Sequence, residues 1–193
     1  VILMSEQNGL MYKLIYLSTL LIMFSSCTNN LTEKQTLPYE LREVSGITSI
    51  SDKLVAMIQD EEGIIYLYDI SKAQVLKKLC FSDDGDYEDI EYLNGKYYVL
   101  HSNGTIDIVD ESGPLIGQIE AAHLSIKNDT EGLCYSPTHN SLLVMCKEKG
   151  GDQLGKHEKA IYSVDLETGL YSEEPIIIID RSAFLEKKKT MIG

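Results

Sequence analysis

From residue 45 to residue 179 the chain alternates short apolar runs, rich in Val, Ile, Leu and Tyr, with clusters of Gly, Asn, Asp and Ser. The clearest runs are Lys53 to Gln59 (KLVAMIQ), Ile64 to Ile70 (IIYLYDI), Lys96 to His101 (KYYVLH), Ser141 to Cys146 (SLLVMC) and Ala160 to Leu166 (AIYSVDL). Runs of this length and composition between turn residues predict strands. Helical periodicity appears only around Ala183 to Lys189, and weakly. The runs also recur in register. Ser45-Gly46-Ile47, Glu88-Asp89-Ile90 and Glu131-Gly132-Leu133 align at intervals of 43 residues, and each anchor opens a unit of four runs. The closing runs are Gln74 to Phe81, Pro114 to Ile119 and Pro175 to Ile179.

Four antiparallel strands at a period near 40 residues make the blade of a β-propeller. The expectation is an all-β chain with a partial propeller over 39–180 and blades near 45–81, 88–120 and 131–179. Closed rings hold about four to eight blades. Three blades therefore predict a truncated chain with 181–193 as its tail, closure by oligomerisation being the alternative.

Ahead of the repeats, Met11-Tyr12-Lys13 is followed by an apolar stretch from Leu14 to Phe24 and then Ser25-Ser26-Cys27. That layout predicts a secretory signal over 11–26, too short for a bilayer-spanning helix. The residues before Cys27 resemble the lipobox of bacterial lipoproteins, so Cys27 is expected to carry lipid. Residues 1–10 read as an upstream extension and 27–38 as a tether. An uncleaved anchor is the alternative. Both place the domain in the bacterial cell envelope, on the outer membrane or the periplasmic face of the plasma membrane.

The 193 residues carry 17 Lys and Arg against 30 Asp and Glu, a net charge of −13. Nucleic acid is excluded as a partner because phosphate binding needs a basic face. Cations or cationic groups suit the balance better. Once Cys27 is assigned to lipid, Cys80, Cys134 and Cys146 remain. A Cys134–Cys146 bridge is one reading, and buried thiols in apolar strands are the other and the favoured one.

The segments VSGITSI, QDEEGIIYLYDI, DDGDYEDIEYLNGKYYVLHSNGTIDIVD and NDTEGLCYSP followed by LLVMCK resemble the SdiA-regulated propeller family of bacterial envelope proteins. The resemblance covers Tyr39 to Ile179 and implies a propeller fold and an envelope location.

Blade topology locates a candidate site. The start of a blade's first strand and the end of its second lie at the same end. Ser45, Glu88 and Glu131 are thus expected to ring the central axis. Gln59, Asp60 and Glu61, His101 and Ser102, and Lys147 and Glu148 come just outside them, with Asp83, Asp84 and Asp86 nearby. Carboxylates gathered in this way repel unless a cation offsets them, and calcium is the natural partner for hard oxygens in an exported protein. The candidate metal ligands are Glu88, Glu131, Asp60, Glu61 and Asp86; the candidate ligand-binding residues are His101, Lys147 and Ser45. Glu131-Gly132 is also similar to the Glu-Gly pair at this strand start in propeller hydrolases, whose glutamate holds a divalent metal.

Two functions follow as expectations. One is an envelope lipoprotein that binds a divalent cation, calcium favoured, or a small ligand, in cation homeostasis. The other is a metal-dependent hydrolase of phosphoesters or lactones, with Glu88 and Glu131 as metal ligands and His101 or Lys147 as acid or base. The plainer alternative for the acidic residues is turn chemistry or a solvated face. Gly150 to His157 matches a phosphate-binding loop until His157 replaces the Ser or Thr, and reads as an insertion between strands. His139 reads as a turn residue. Tyr66, Tyr68, Tyr97, Tyr98 and Tyr162 read as packing.

Overall fold

The computed structural model describes residues 34–182. The upstream extension, the signal segment, Cys27, the first part of the tether and residues 183–193 lie outside the described residues. Among the described residues no helix is long and apolar enough to cross a membrane.

Among the described residues twelve strands follow one 3₁₀ turn, Tyr39–Leu41. They are β1 (Val44–Ser49), β2 (Leu54–Gln59), β3 (Ile64–Asp69), β4 (Gln74–Cys80), β5 (Tyr87–Leu93), β6 (Lys96–His101), β7 (Ile106–Asp110), β8 (Leu115–Ile119), β9 (Thr130–Ser136), β10 (Ser141–Cys146), β11 (Glu158–Asp165) and β12 (Ile177–Asp180). Each consecutive group of four pairs with its sequence neighbours into one antiparallel sheet. The fold is therefore the expected all-β set of four-stranded propeller blades. The first strands begin at Val44, Tyr87 and Thr130, which keeps the 43-residue interval of the sequence.

Turn chemistry repeats with the blades. Asp69, Asp110 and Asp165 each end a third strand, and each carboxylate accepts hydrogen bonds from the turn that follows: Ser71 and Lys72, Ser112, and Glu167 with Thr168. The Ser71 hydroxyl and Lys72 hold the Asp69 carboxyl at about 2, well below its usual range. Asn94 and Gly95 both have positive φ, 53° and 76°, which is the backbone of the two-residue turns that suit the strand twist in hairpins. They join β5 to β6.

Alternation along the strands gives each blade two packing faces. Ala56, Ile58 and Ile65 of the first blade meet Tyr87, Ile90, Tyr97 and Val99 of the second in one core. Tyr98, Leu100 and Ile106 on the other side of the second blade meet Leu142, Val144 and Val164 of the third. The five tyrosines expected to pack are all buried.

The innermost strands β1, β5 and β9 lie side by side, and carboxylates stitch them together. Asp89 accepts from Leu133 N (2.7 Å), and Glu91 accepts from Thr48 Oγ1 (3.1 Å) and Tyr135 N (3.0 Å). Gly46 occupies the register of Asp89 in the first blade, and a Cβ there would fall 2.7 Å from Asp89 Cα. Only glycine lets β1 approach β5 this closely.

The three described cysteines are free. Cys146 is buried, and burial pushes its thiol up to about 11. Cys80 and Cys134 are exposed, which corrects the expectation of buried thiols at all three positions. An apolar run in a half-buried strand still turns every second side chain outward.

Candidate functional site

Each inner strand carries a bulge at the same place. Val44 faces Gln59 while Gly46 faces Ile58, leaving Ser45 as the extra residue. Tyr87 faces His101 while Asp89 faces Leu100, leaving Glu88. Thr130 faces Cys146 while Gly132 faces Met145, leaving Glu131. A bulge adds one residue to one strand and re-aims its side chain. The three anchors read from the sequence are thus the three bulged residues, equivalent in every blade.

Around Glu88 the charges are crowded. Burial, then repulsion from Asp86, Glu131 and Asp129, pushes its carboxyl up to about 7. Lys147 answers two of these groups: its Nζ bonds Glu131 Oε1 and lies 3.0 Å from Asp129 Oδ2. The Glu131 and Asp129 carboxylates hold the Lys147 ammonium well above its usual range. Asp86 accepts from the Ser102 hydroxyl. The ammonium thus pairs with two carboxylates, while Asp86 and Glu88 stand beside them.

The first blade brings oxygens without charge balance. Asp60 O accepts from Tyr87 N (2.9 Å) and Glu61 O accepts from Gly85 N (2.8 Å). These bonds fasten the β2–β3 turn beside the loop that carries Asp86 into Glu88. Among the described residues, the buried side-chain polar atoms without a partner are Ser45 Oγ, Gln59 Oε1 and Asp60 Oδ1. All three belong to this end of the first blade. Buried polar atoms are nearly always paired.

The remaining expectations divide. Glu88, Glu131, Asp86 and Lys147 are brought together, and Asp60 and Ser45 lie at the same end. The side chains of Glu61, Asp83, Asp84 and Glu148 are exposed. His101 turns to a different set: its Nε2 is 2.9 Å from Asp107 Oδ2, and its ring lies 4.7 Å from that of Tyr87. Asp107 is itself buried and accepts from Gln118 Nε2 at 2.7 Å. His139 lies in the β9–β10 turn, its N–H donating to Ser136 O. Among the described residues no group of three or more His, Cys, Asp or Glu is already arranged to hold a metal ion.

Asp129 is the residue that reading the sequence missed. Its signal was present: Asp86-Tyr87-Glu88 and Asp129-Thr130-Glu131 are the same Asp-x-Glu triplet one repeat apart. Asp107 gave no such signal, because it meets His101 diagonally across a hairpin.

Bulged inner strands, meandering four-stranded sheets and inter-blade cores define a β-propeller protein. The SdiA-regulated family model matches residues 22–190, and the chain belongs to that family. The fold is similar to Myxococcus xanthus glutaminyl cyclase (TM-score 0.53, 14% identity, 78% of this chain and 58% of that one). It is also similar to Kuenenia stuttgartiensis hydrazine synthase (TM-score 0.51, 16% identity, 71% of this chain and 37% of that one). At such identities the likeness is one of fold alone. The chain thus matches less than two thirds of the length of either structure. Comparison with curated proteins finds no match.

Proposed function

We propose that the protein is a lipid-anchored envelope propeller whose acidic axial end binds a divalent cation, calcium by the hardness of the donors, in cation homeostasis. The observation that carries this reading is the gathering of the unpartnered oxygens of Ser45, Gln59 and Asp60 at the end where the Lys147 ammonium pairs with Asp129 and Glu131 beside the crowded carboxylates of Asp86 and Glu88. Oxygen donors, most of them carboxylates, suit calcium. Since among the described residues no three ligands already converge, a cation enters by taking the place of the Lys147 ammonium and the Glu88 proton. A small cationic ligand meets the same donors and competes for the same place.

Calcium should raise the melting temperature of the full chain and release protons near pH 7. Glu88→Gln and Glu131→Gln should each abolish the rise. Lys147→Met should enlarge it, because the ammonium no longer competes. No shift with calcium, magnesium or manganese at millimolar concentration overturns the reading. The membrane address rests on Cys27, and mass spectrometry of the purified protein should find acylation that Cys27→Ser removes.

The hydrolase alternative draws support from the His101–Asp107 pair, since a carboxylate that fixes a histidine is the usual arrangement of a general base. Lys147 is a poor base while two carboxylates hold its proton. Turnover of phosphoesters or lactones that is lost in His101→Gln would favour this alternative.

A further inference from the structure

Away from the axis, the β8–β9 loop (120–129), the β10–β11 loop (147–157) and residues 173–178 line an open cavity of about 420 Å³. That volume lies in the roughly 300–1,000 Å³ range of small-molecule sites. Its walls are fixed by the fold. Asn128, itself buried, accepts from Ser125 N (2.9 Å) and donates to Lys149 O (2.8 Å), tying one loop to the other. Tyr162 Oη donates to Gly150 O at 2.8 Å. A Cβ on Gly150 would lie 2.8 Å from Leu154 Cδ1 and 3.0 Å from Ala160 N, so the glycine-rich segment lies flat on β11. The insertion read from Gly150 to His157 is thus a cavity wall.

The lining combines aromatic rings with charged groups of both signs. The His123 and Tyr162 rings pack with centroids 4.9 Å apart. Lys127 and Lys149 contribute positive charge, Asp152, Glu173 and Glu174 negative, and Asp152 lies in the field of both lysines. Lys149 is engaged with Asp152 at 2.5 Å. Lys127, Glu173 and Glu174 form no ion pair among the described residues, although all three line one cavity.

We propose that this cavity binds a small zwitterion of amino-acid or dipeptide size. Its anionic group is taken by Lys127, its ammonium by Glu173 and Glu174, and its apolar body by the His123 and Tyr162 rings. Charges of both signs lining one cavity favour a zwitterion over singly charged analogues, because each analogue forgoes one of the two charge-assisted contacts. The site is independent of the axial one. The short backbone ladder from Lys127–Asp129 to Lys147–Lys149 separates them, with Lys147 and Asp129 turned to the axis.

Calorimetric titration of the full chain with glycyl-leucine, N-acetyl-glycyl-leucine and glycyl-leucinamide tests the proposal. The free dipeptide should bind, and each capped form should bind at least about tenfold more weakly, a difference of roughly 1.4 kcal/mol. Lys127→Met should produce the same loss for the free dipeptide, as should the double change Glu173→Gln, Glu174→Gln. All three side chains are exposed, so these variants keep the fold. Lys77→Met, exposed on β4 of the first blade, should leave the affinity unchanged. Equal binding of free and capped peptides, or no binding of the free peptide at millimolar concentration, overturns the proposal.

Discussion

At the residue scale, Glu88 makes the clearest commitment. Its carboxyl stands near 7 in the folded protein, raised from an ordinary value of 4.5 by burial and by Asp86, Glu131 and Asp129. A raised carboxyl favours the folded state below the unfolded value, and that advantage is lost as pH rises through the folded one. In calcium-free buffer the protein should therefore lose stability between about pH 4.5 and pH 7 from this group. Glu88→Gln, neutral throughout, should match the wild type in acid and exceed it above pH 7 by about 1–2 kcal/mol once solvent screening is allowed for. Urea titrations of both proteins at pH 4.5 and pH 8 measure the difference; an equal stability at pH 8 would show that no repulsion is stored there. Lys147→Met should widen the pH dependence, because Asp129 and Glu131 then act on Glu88 without their shared counter-charge.

At the scale of the element, the inner strands depend on two devices that act across blades. Gly46 sits where β1 meets β5, and an added Cβ has backbone atoms rather than a flexible side chain in its way. Gly46→Ala should cost about 1–3 kcal/mol, the usual range for overpacking. Asp89 holds the Leu133 N–H of the neighbouring blade. Asp89→Ala leaves that donor unpaired and should cost a similar amount, about 1–3 kcal/mol. Chemical denaturation measures both, and a change below about 0.5 kcal/mol in either would show that the blades do not rely on the contact. The elements themselves were legible because the 43-residue recurrence and the alternation of apolar residues report strand faces directly. That the anchors sit on bulges was not legible, since a bulge is defined by the partner strand's register. Asp129 was legible only through its triplet, and the His101–Asp107 pair needs the hairpin's geometry.

At the scale of the whole molecule, the two inter-blade cores leave one blade face without a described partner. Met145, Ile161 and Ile177 form a cross-strand row on β10, β11 and β12, on the side of the third blade turned away from Leu142 and Val144. Met145 is 39% exposed and Ile177 44% exposed. In a propeller this is the face on which a following blade packs, and exposed apolar rows drive association when nothing covers them. The chain as given should therefore self-associate with increasing concentration, seen by analytical ultracentrifugation. Met145→Lys with Ile177→Lys should suppress that association. The folded unit should keep its stability to within about 0.5 kcal/mol, because substitutions on an exposed face remove little packing. Association that persists in the double variant would assign it to another surface, with the exposed Leu115 and Ile116 of β8 the next to test. A net charge of −13 opposes association at low salt, so the wild-type tendency should strengthen as salt screens the repulsion. The lysine variant, which lowers the net negative charge, should show a weaker salt dependence.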